Sequence, residues 1–330
     1  MQKIKIAIVP GDGICQEIFP YVDELIDKLN LEIQREYFEV GLNRLLKTGR
    51  AIDDETIEKI KQCNAVLFGA NSTPKESLPG YRSPILSLRK ELGLFVNLRP
   101  VKNYLSSRNI NITIFRENTE GLYCQKERFI DENTVVAEKI VSRATTEKLA
   151  RFAYKYAANH GMKRMTIVQK SNVLKLSDRF FLDICKQIGG EYPEIETSAE
   201  YIDAACYHLV RTPERFEGIL TENLYGDVLS DLAAGISDGL GMAPSSSFGE
   251  KHALFEPVHG SAPDIVGRDI ANPYAVVFSL ILMLDYLQFH NASNKLRKAV
   301  YENLNENIVT PDLNGSYKLS ETMGLLFKKV

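Results

Sequence analysis

Short apolar runs alternate with longer helical stretches along this chain, and that alternation constrains the fold more than any other feature. Ile4–Val9 reads as a strand ending in Pro10-Gly11-Asp12-Gly13, with a helix following to about Leu29. Ala65–Phe68 reads as a second strand, closed by Gly69-Ala70-Asn71. Ile112–Phe115 and Met165–Val168 read as strands that stop at charged residues. Strands interleaved with helices argue for an α/β fold. Ligands of open α/β sheets gather beyond the carboxyl ends of the strands. Each of these strand ends is followed by polar or glycine-rich chain, so these are the places to look for a site. No internal repeat, low-complexity tract or Pro/Ser-rich linker marks a boundary, and the residues alone suggest two lobes sharing one central cleft.

A length of 330 residues favours two domains over one core. Forty basic side chains against 43 acidic ones leave a formal charge of −3, which offers no broad field for nucleic acid. The N-terminal segment has no apolar h-region or small-residue cleavage site, so we expect no secretory signal and a cytoplasmic protein. The longest apolar stretch, Ala275 to Leu284, is too short to span a bilayer and reads as a buried helix, so no membrane partner is expected. Five scattered cysteines (15, 63, 124, 185 and 206) without a CxxC fit reduced thiols better than disulfides or zinc.

The strongest local signal is Asn223-Leu-Tyr-Gly226-Asp227-Val-Leu-Ser-Asp231. If Asp227 opens a helix, Asp231 lies one turn later on the same face. Stacked carboxylates repel unless a cation lies between them, and hard oxygens suit Mg²⁺ or Mn²⁺. The plainer reading is that Asp227 caps the helix and Asp231 is a solvated surface residue. Arg89, Arg99 and Arg116 sit in or beside apolar runs, where a solvated charge is out of place. Singly each reads as a structural ion pair; together they describe a site for a polyanionic acid. Ser83-Pro84 has the form of a helix start, with Ser as N-cap and Pro at the first position. Ile85 and Leu86 then share a helix face with Arg89, as suits an acid with a partly apolar tail. Lys170 and Tyr123 are candidate proton-transfer groups. The glycine fingerprint of a Rossmann site is missing, since Gly11-Asp-Gly13 and Gly239-Leu-Gly241 lack the remaining spacing. His259-Gly-Ser-Ala-Pro-Asp264 is a small-residue loop that a ligand could approach closely, or an ordinary turn.

Read in series, these segments resemble the β-decarboxylating dehydrogenases: isopropylmalate, isocitrate, homoisocitrate and tartrate dehydrogenases. The resemblance spans nearly the whole chain. It rests on VPGDG at 9–13, SLRKELGLFVNLRPVK at 87–102, RENTEGLY at 116–123 and QKSNVL at 169–174. It continues with DAACYHLVR at 203–211, TENLYGDVLSD at 221–231 and FEPVHGSAPDIVGRDIANP at 255–273. It implies an isopropylmalate/isocitrate dehydrogenase-like two-domain α/β fold with central mixed sheets. Residues 1–96 plus 240–330 would form one domain, on the cofactor's adenosine side, and 97–239 the other.

The resemblance also implies roles. Arg89, Arg99 and Arg116 would bind the malate-like carboxylates, with Ser83, Ile85, Leu86 and Asn172 also lining the substrate. Tyr123 would be the general acid. Asp227 and Asp231 would hold Mg²⁺ or Mn²⁺ together with Asp203 from a second subunit, which would also supply Lys170 as base. A homodimer sharing its sites would then be the smallest working unit. Glu256, His259, Gly260, Ser261, Ala262, Asp264 and Asn272, with Asn172, would bind the cofactor. Asp264 resembles the residue of NAD-type members, where NADP-type relatives tend to carry lysine followed by tyrosine; here Asp264-Ile265 favours NAD. The run Ser83-Pro-Ile85 with Leu88-Arg89, and Lys170-Ser-Asn-Val-Leu, look most like homoisocitrate dehydrogenases. That ranks conversion of homoisocitrate to 2-oxoadipate, a step of lysine biosynthesis, first, isocitrate second and 3-isopropylmalate third. Some homoisocitrate enzymes carry a basic residue at the position of Leu86; this chain does not, which leaves the contact to the distal carboxylate unassigned, with Arg82 a candidate substitute. A non-catalytic regulatory subunit is a different class of answer. Such a subunit would lose part of the set Tyr123, Lys170, Asp203, Asp227 and Asp231, all of which are present.

Overall fold

Ile6–Val9 are fully buried in the computed structural model of the chain, which describes residues 4–74, 76, 78–105 and 109–330. In chain order, β1 (Ile4–Gly11) leads through α1 (Cys15–Lys28) to β2 (Ile33–Tyr37), α2 (Leu42–Thr48), α3 (Asp54–Ile60), β3 (Ala65–Ala70) and α4 (Pro84–Glu91). Then come β4 (Val96–Lys102), β5 (Asn111–Glu117), the exposed ribbon β6 (Glu127–Asp131) with β7 (Thr134–Ala137), α5 (Arg143–Asn159) and β8 (Arg164–Gln169). α6 (Ser177–Gly189), β9 (Glu196–Tyr201), α7 (Ile202–Arg211), β10 (Gly218–Thr221) and α8 (Asn223–Ile236) follow. β11 (Pro244–Phe248), β12 (Ala253–Pro257), α9 (Tyr274–Tyr286), α10 (His290–Asn305) and α11 (Leu319–Lys329) complete the chain.

The chain divides into two units, Met1–Gly93 with Tyr104–Ser106 and Asp238–Val330, and Leu94–Asn103 with Ser107–Ser237. In the first, strands run in the order β2-β1-β3-β12-β11, parallel except for the antiparallel β11/β12 pair. In the second the order is β4-β5-β10-β8-β9, with β4/β5 antiparallel and the rest parallel. Both sets of strands are therefore mixed. α9 is apolar nearly all round, as its eight consecutive buried residues from Tyr274 to Ile281, with Met283 and Leu284, require. It forms the first unit's core with α1 and the inner strands. Among the described residues no helix is long and apolar enough to cross a membrane. All five cysteines are free thiols, and Cys15, Cys63 and Cys185 are buried.

The strands run further than the apolar runs. Ile112–Phe115 does not stop at Arg116: β5 continues through Arg116 and Glu117, only 1% and 4% exposed, because β4 pairs with it as far as Val96 opposite Glu117. β8 likewise takes in Arg164 and Gln169.

Asp53 caps α3, its carboxylate accepting the Thr56 N–H at 2.8 Å. Hydrogen bonds from the Thr56 side chain and backbone, then the Arg44 guanidinium, hold its carboxyl down to about 2. A depressed carboxyl stabilises the fold above its ordinary value of 3.8 and loses that contribution as pH falls through about 2. Asp53→Ala is expected to cost about 1 kcal/mol near neutrality. Denaturant melts of both proteins over the acid range should show the difference shrinking toward pH 2.

Candidate active site

The β4/β5 pairing fixes the site's charges. Asn97 lies opposite Arg116 and Arg99 opposite Ile114. Cross-strand partners share a face, as do residues two apart along a strand, so Asn97, Arg99 and Arg116 project from the same side. α8 packs over that side and brings Asp227 and Asp231 with it. Gly226 allows the approach: a Cβ there would lie 2.5 Å from Arg116 Cγ and 2.7 Å from its Cβ.

Asp227 does not open α8. Glu222 is the N-cap, its carboxylate accepting the N–H groups of Tyr225 at 2.9 Å and Leu224 at 3.3 Å. Asp227 sits in the second turn, which removes the capping explanation for it. Asp231 still follows one turn later.

Arg116, Arg99 and Tyr123 converge on the Asp227 carboxylate. Arg116 Nη1 donates to Asp227 Oδ1, and the Tyr123 hydroxyl donates to Oδ2. Arg99 Nη1 lies 3.2 Å from Asp227 and 3.8 Å from Asp231. Neutral partners set both guanidinium planes. Arg99 Nε donates to Asn97 Oδ1 at 2.6 Å, and its Nη1 to Ser230 Oγ at 2.6 Å. Arg116 Nε donates to the Asn223 carbonyl at 2.9 Å, and its Nη2 to Asn223 Oδ1 at 2.8 Å. Asn223 in turn donates to Glu117 at 3.2 Å. Glu117 also accepts the Thr119 and Glu120 N–H groups, at 2.6 and 2.8 Å, and so shapes the turn leading to Tyr123.

Burial, then the hydrogen bond to Asp227, pushes the Tyr123 phenol up against the opposing pull of Arg116, so it stays a proton donor near neutrality. Burial also pushes the Asp231 carboxyl up; Arg99 opposes the rise and the Asp227 charge adds to it. A cation between the two carboxylates relieves that repulsion, and in this respect the pair fits a divalent metal. Among the described residues, no group of three or more His, Cys, Asp or Glu side chains gathers to hold a metal.

Lys170 and Asp203 form a separate pair in the same unit. β8 and β9 end level, Gln169 opposite Tyr201, so Lys170 and the first turn of α7 emerge at one sheet edge. There the Lys170 ammonium donates to Asp203 Oδ1, and this hydrogen bond is the main cause that lowers the Asp203 carboxyl. Asn172 is exposed in the turn that follows.

The first unit carries the remaining residues. Ser83 caps α4, accepting the Leu86 N–H at 3.5 Å, with Pro84 at the first position as expected. Ile85 and Leu86 are partly buried and Arg89 is buried, its Nη2 donating to Glu256 at 2.9 Å. Arg82 is turned elsewhere. It pairs with Asp54 at 3.0 Å and Glu91 at 3.4 Å, so its guanidinium is already engaged. The 259–264 loop lies against the turn after β1, where Ile14 N–H donates to the Ser261 carbonyl at 2.9 Å. Gly13, at φ +65°, permits this, since a Cβ there would lie 1.9 Å from that oxygen. Ser72 Oγ donates to Ser261 Oγ at 2.9 Å. His259 Nε2 is buried with no hydrogen-bond partner, an orphan that suits a loop made to meet a ligand. Gly260 and Asp264 are exposed, Ala262 takes a positive φ of 40°, and Asn272 uses its amide on Asp312 and the Tyr274 N–H.

Sequence reasoning missed Asn97, Glu117, Glu222, Asn223 and Ser230. All five lie inside quoted motifs, but as polar residues of ordinary type they carry no local signal of their own.

Helix-borne carboxylates facing strand-borne arginines, with a phenol on one carboxylate, make a site for a small polyanionic acid and a hard cation. The chain belongs to the isocitrate/isopropylmalate dehydrogenase family, which it matches over residues 5–326. It is 41% identical over 319 residues to a 3-isopropylmalate dehydrogenase of Methanothermobacter thermautotrophicus, covering 96% of this chain and 95% of that one. It is 39% identical over 333 residues to a homoisocitrate dehydrogenase of Methanocaldococcus jannaschii, with the same coverage. A crystal structure of isocitrate dehydrogenase from Methylococcus capsulatus superposes with a TM-score of 0.94 at 34% identity, over 99% of both chains. The protein is thus a decarboxylating hydroxy-acid dehydrogenase, an oxidoreductase of a family that acts on small carboxylic acids. That family generally uses NAD(P) with a divalent metal and commonly forms dimers.

Proposed function

We propose that the chain oxidises and decarboxylates homoisocitrate to 2-oxoadipate with NAD and Mg²⁺ or Mn²⁺. The observation that carries the chemistry is the convergence of Arg99, Arg116 and Tyr123 on Asp227, one turn from Asp231. In this reading the arginines exchange Asp227 for substrate carboxylates and leave the aspartates to the metal. Asp227 and Asp231, with Asp203 of a second copy, would hold the ion, which would acidify the substrate hydroxyl and offset the negative charge left by CO₂ loss, while bound NAD would supply the hydride acceptor. Lys170 of the second copy would take the hydroxyl proton. The carbon–carbon bond to the 3-carboxylate then breaks, and Tyr123 returns a proton to that carbon. The pairing of Lys170 with Asp203, apart from the Asp227 cluster, supports their delivery together. So do the apolar side chains left exposed on the same unit, among them Phe129, Leu176, Tyr207 and Val228, which a second copy would cover.

A second reading is 3-isopropylmalate. The engagement of Arg82 by Asp54 and Glu91 favours it, because Ile85 and Leu86 then offer the substrate's tail only apolar surface. kcat/KM for homoisocitrate, isocitrate and 3-isopropylmalate, measured side by side, decides between them. A homoisocitrate preference supports the proposal; an isopropylmalate preference overturns it in favour of leucine synthesis.

NAD is preferred because the Asp264 carboxylate would accept from ribose hydroxyls and repel a 2′-phosphate. Asp264→Lys combined with Ile265→Tyr is expected to shift the NAD/NADP ratio of kcat/KM toward NADP by roughly 10- to 100-fold, the size of one charge reversal at close range. An unchanged ratio removes Asp264 from cofactor selection.

A further inference from the structure

Lys139 lies between β7 and α5, outside the chemistry assigned above, yet its ammonium sits among buried acids. Its Nζ is 2.6 Å from Asp178 Oδ1 and 3.9 Å from Glu222 Oε2, with the Tyr225 ring centroid 4.5 Å away. Its side chain is 14% exposed, and those of Asp178 and Glu222 are 2% and 6%. Each acid has a second task. Asp178, in the first turn of α6, accepts the backbone N–H of Lys170 on Oδ2 at 2.7 Å. Glu222 caps α8, which carries Asp227 and Asp231. One buried cation therefore ties the anchor of the Lys170 backbone to the start of the helix bearing the aspartates.

The other backbone hydrogen bonds here are local: the Lys170 carbonyl accepts the Val173 and Leu174 N–H groups, at 3.0 and 2.9 Å, and the Ser171 N–H donates to Gln169 Oε1. The Asp178 bond is therefore the one that ties Lys170 to α6. Beyond Gln169 the chain leaves the sheet for an exposed turn in which Val173, Leu174 and Leu176 face outward. A lysine on a flexible four-carbon stem aims its amine only as well as its backbone is held. We propose that Asp178, itself held by Lys139, is the positioning residue for Lys170. The inference rests on the reading of Lys170 as proton acceptor. Asp178 touches no reacting atom; it fixes the strand end from which the amine reaches out. A buried acid kept for packing alone would leave turnover per folded enzyme unchanged.

The test compares Asp178→Ala, which removes the acceptor, with Asp178→Asn, which keeps an oxygen for the Lys170 N–H. Asp178→Ala is expected to lower kcat roughly 10- to 100-fold, as misplacement of a reacting group does. KM for acid and cofactor should stay within about twofold, and Asp178→Asn should recover most of the loss. The inference fails if folded Asp178→Ala keeps kcat, or if both variants lose kcat and raise KM in step with a lowered Tm. Should Asp178→Ala not fold, Asp178→Ser takes its place: its short hydroxyl cannot reach the Lys170 N–H, and Lys139 stays beside Glu222. Asp178→Ser should turn over about 10-fold more slowly than Asp178→Asn, and equality overturns the inference. Lys170→Met separates the two claims. If it keeps wild-type turnover, the reading of Lys170 itself is wrong; if it collapses while Asp178→Ala does not, only the positioning role fails.

Discussion

Lys170→Met is expected to lower kcat by roughly 10³-fold, the scale of a lost general base, with KM for the hydroxy acid little changed. Methionine keeps the stem's volume and removes the amine that faces Asp203. Asp203 would lose a cation that competes for its carboxylate, so metal affinity should hold or rise modestly. A mixture of subunits makes the prediction sharper. Lys170→Met chains co-assembled with Asp227→Asn chains would form hybrid dimers in which one shared site has both residues intact. Random pairing then restores up to about a quarter of wild-type activity. If each chain carried its own complete site, mixing would restore nothing.

Asp227→Asn is expected to lower kcat/KM by about 10³-fold or more, since on the proposed reading it removes a metal ligand and with it several kcal/mol of transition-state stabilisation. Titration calorimetry with Mn²⁺ should show weakened binding in the variant. Asp227 is also the shared acceptor of Arg116 and Tyr123 and lies 3.2 Å from Arg99, so the neutral amide loosens three side chains at once. An Asp227→Asn enzyme with wild-type metal affinity would place the ion elsewhere.

Much of this site was legible because its charges stand where charges are unusual. Arg99 and Arg116 interrupt strands, and the periodicity of a helix puts Asp231 above Asp227 wherever that helix begins. The start of α8 was not legible. The sequence puts the helix start at Asp227, as opener or cap, whereas the helix begins at Asn223 because Glu222 satisfies its first N–H groups. Gly226 sits inside it to admit the Arg116 side chain, a packing reason that no local pattern displays. β5 was read too short for a related reason: a strand flanked on both sides keeps its ladder through Arg116 and Glu117 whatever their charge. Arg82 was only a candidate for the distal carboxylate; Asp54 and Glu91, 28 residues before it and nine after it, pair with it by contacts invisible to motif reading. Asn97, Ser230 and Asp178 belong to the same class, common polar residues that the fold alone gives a task.

The account stands most directly on one assay, NADH formation by the purified wild-type protein with homoisocitrate, NAD and Mg²⁺, before and after EDTA. It requires turnover with Mg²⁺, abolition by the chelator and recovery on adding Mg²⁺ or Mn²⁺ in excess. Turnover that survives complete chelation would contradict the role given to Asp227 and Asp231, and no NADH from homoisocitrate, isocitrate or 3-isopropylmalate would contradict the proposed reaction itself.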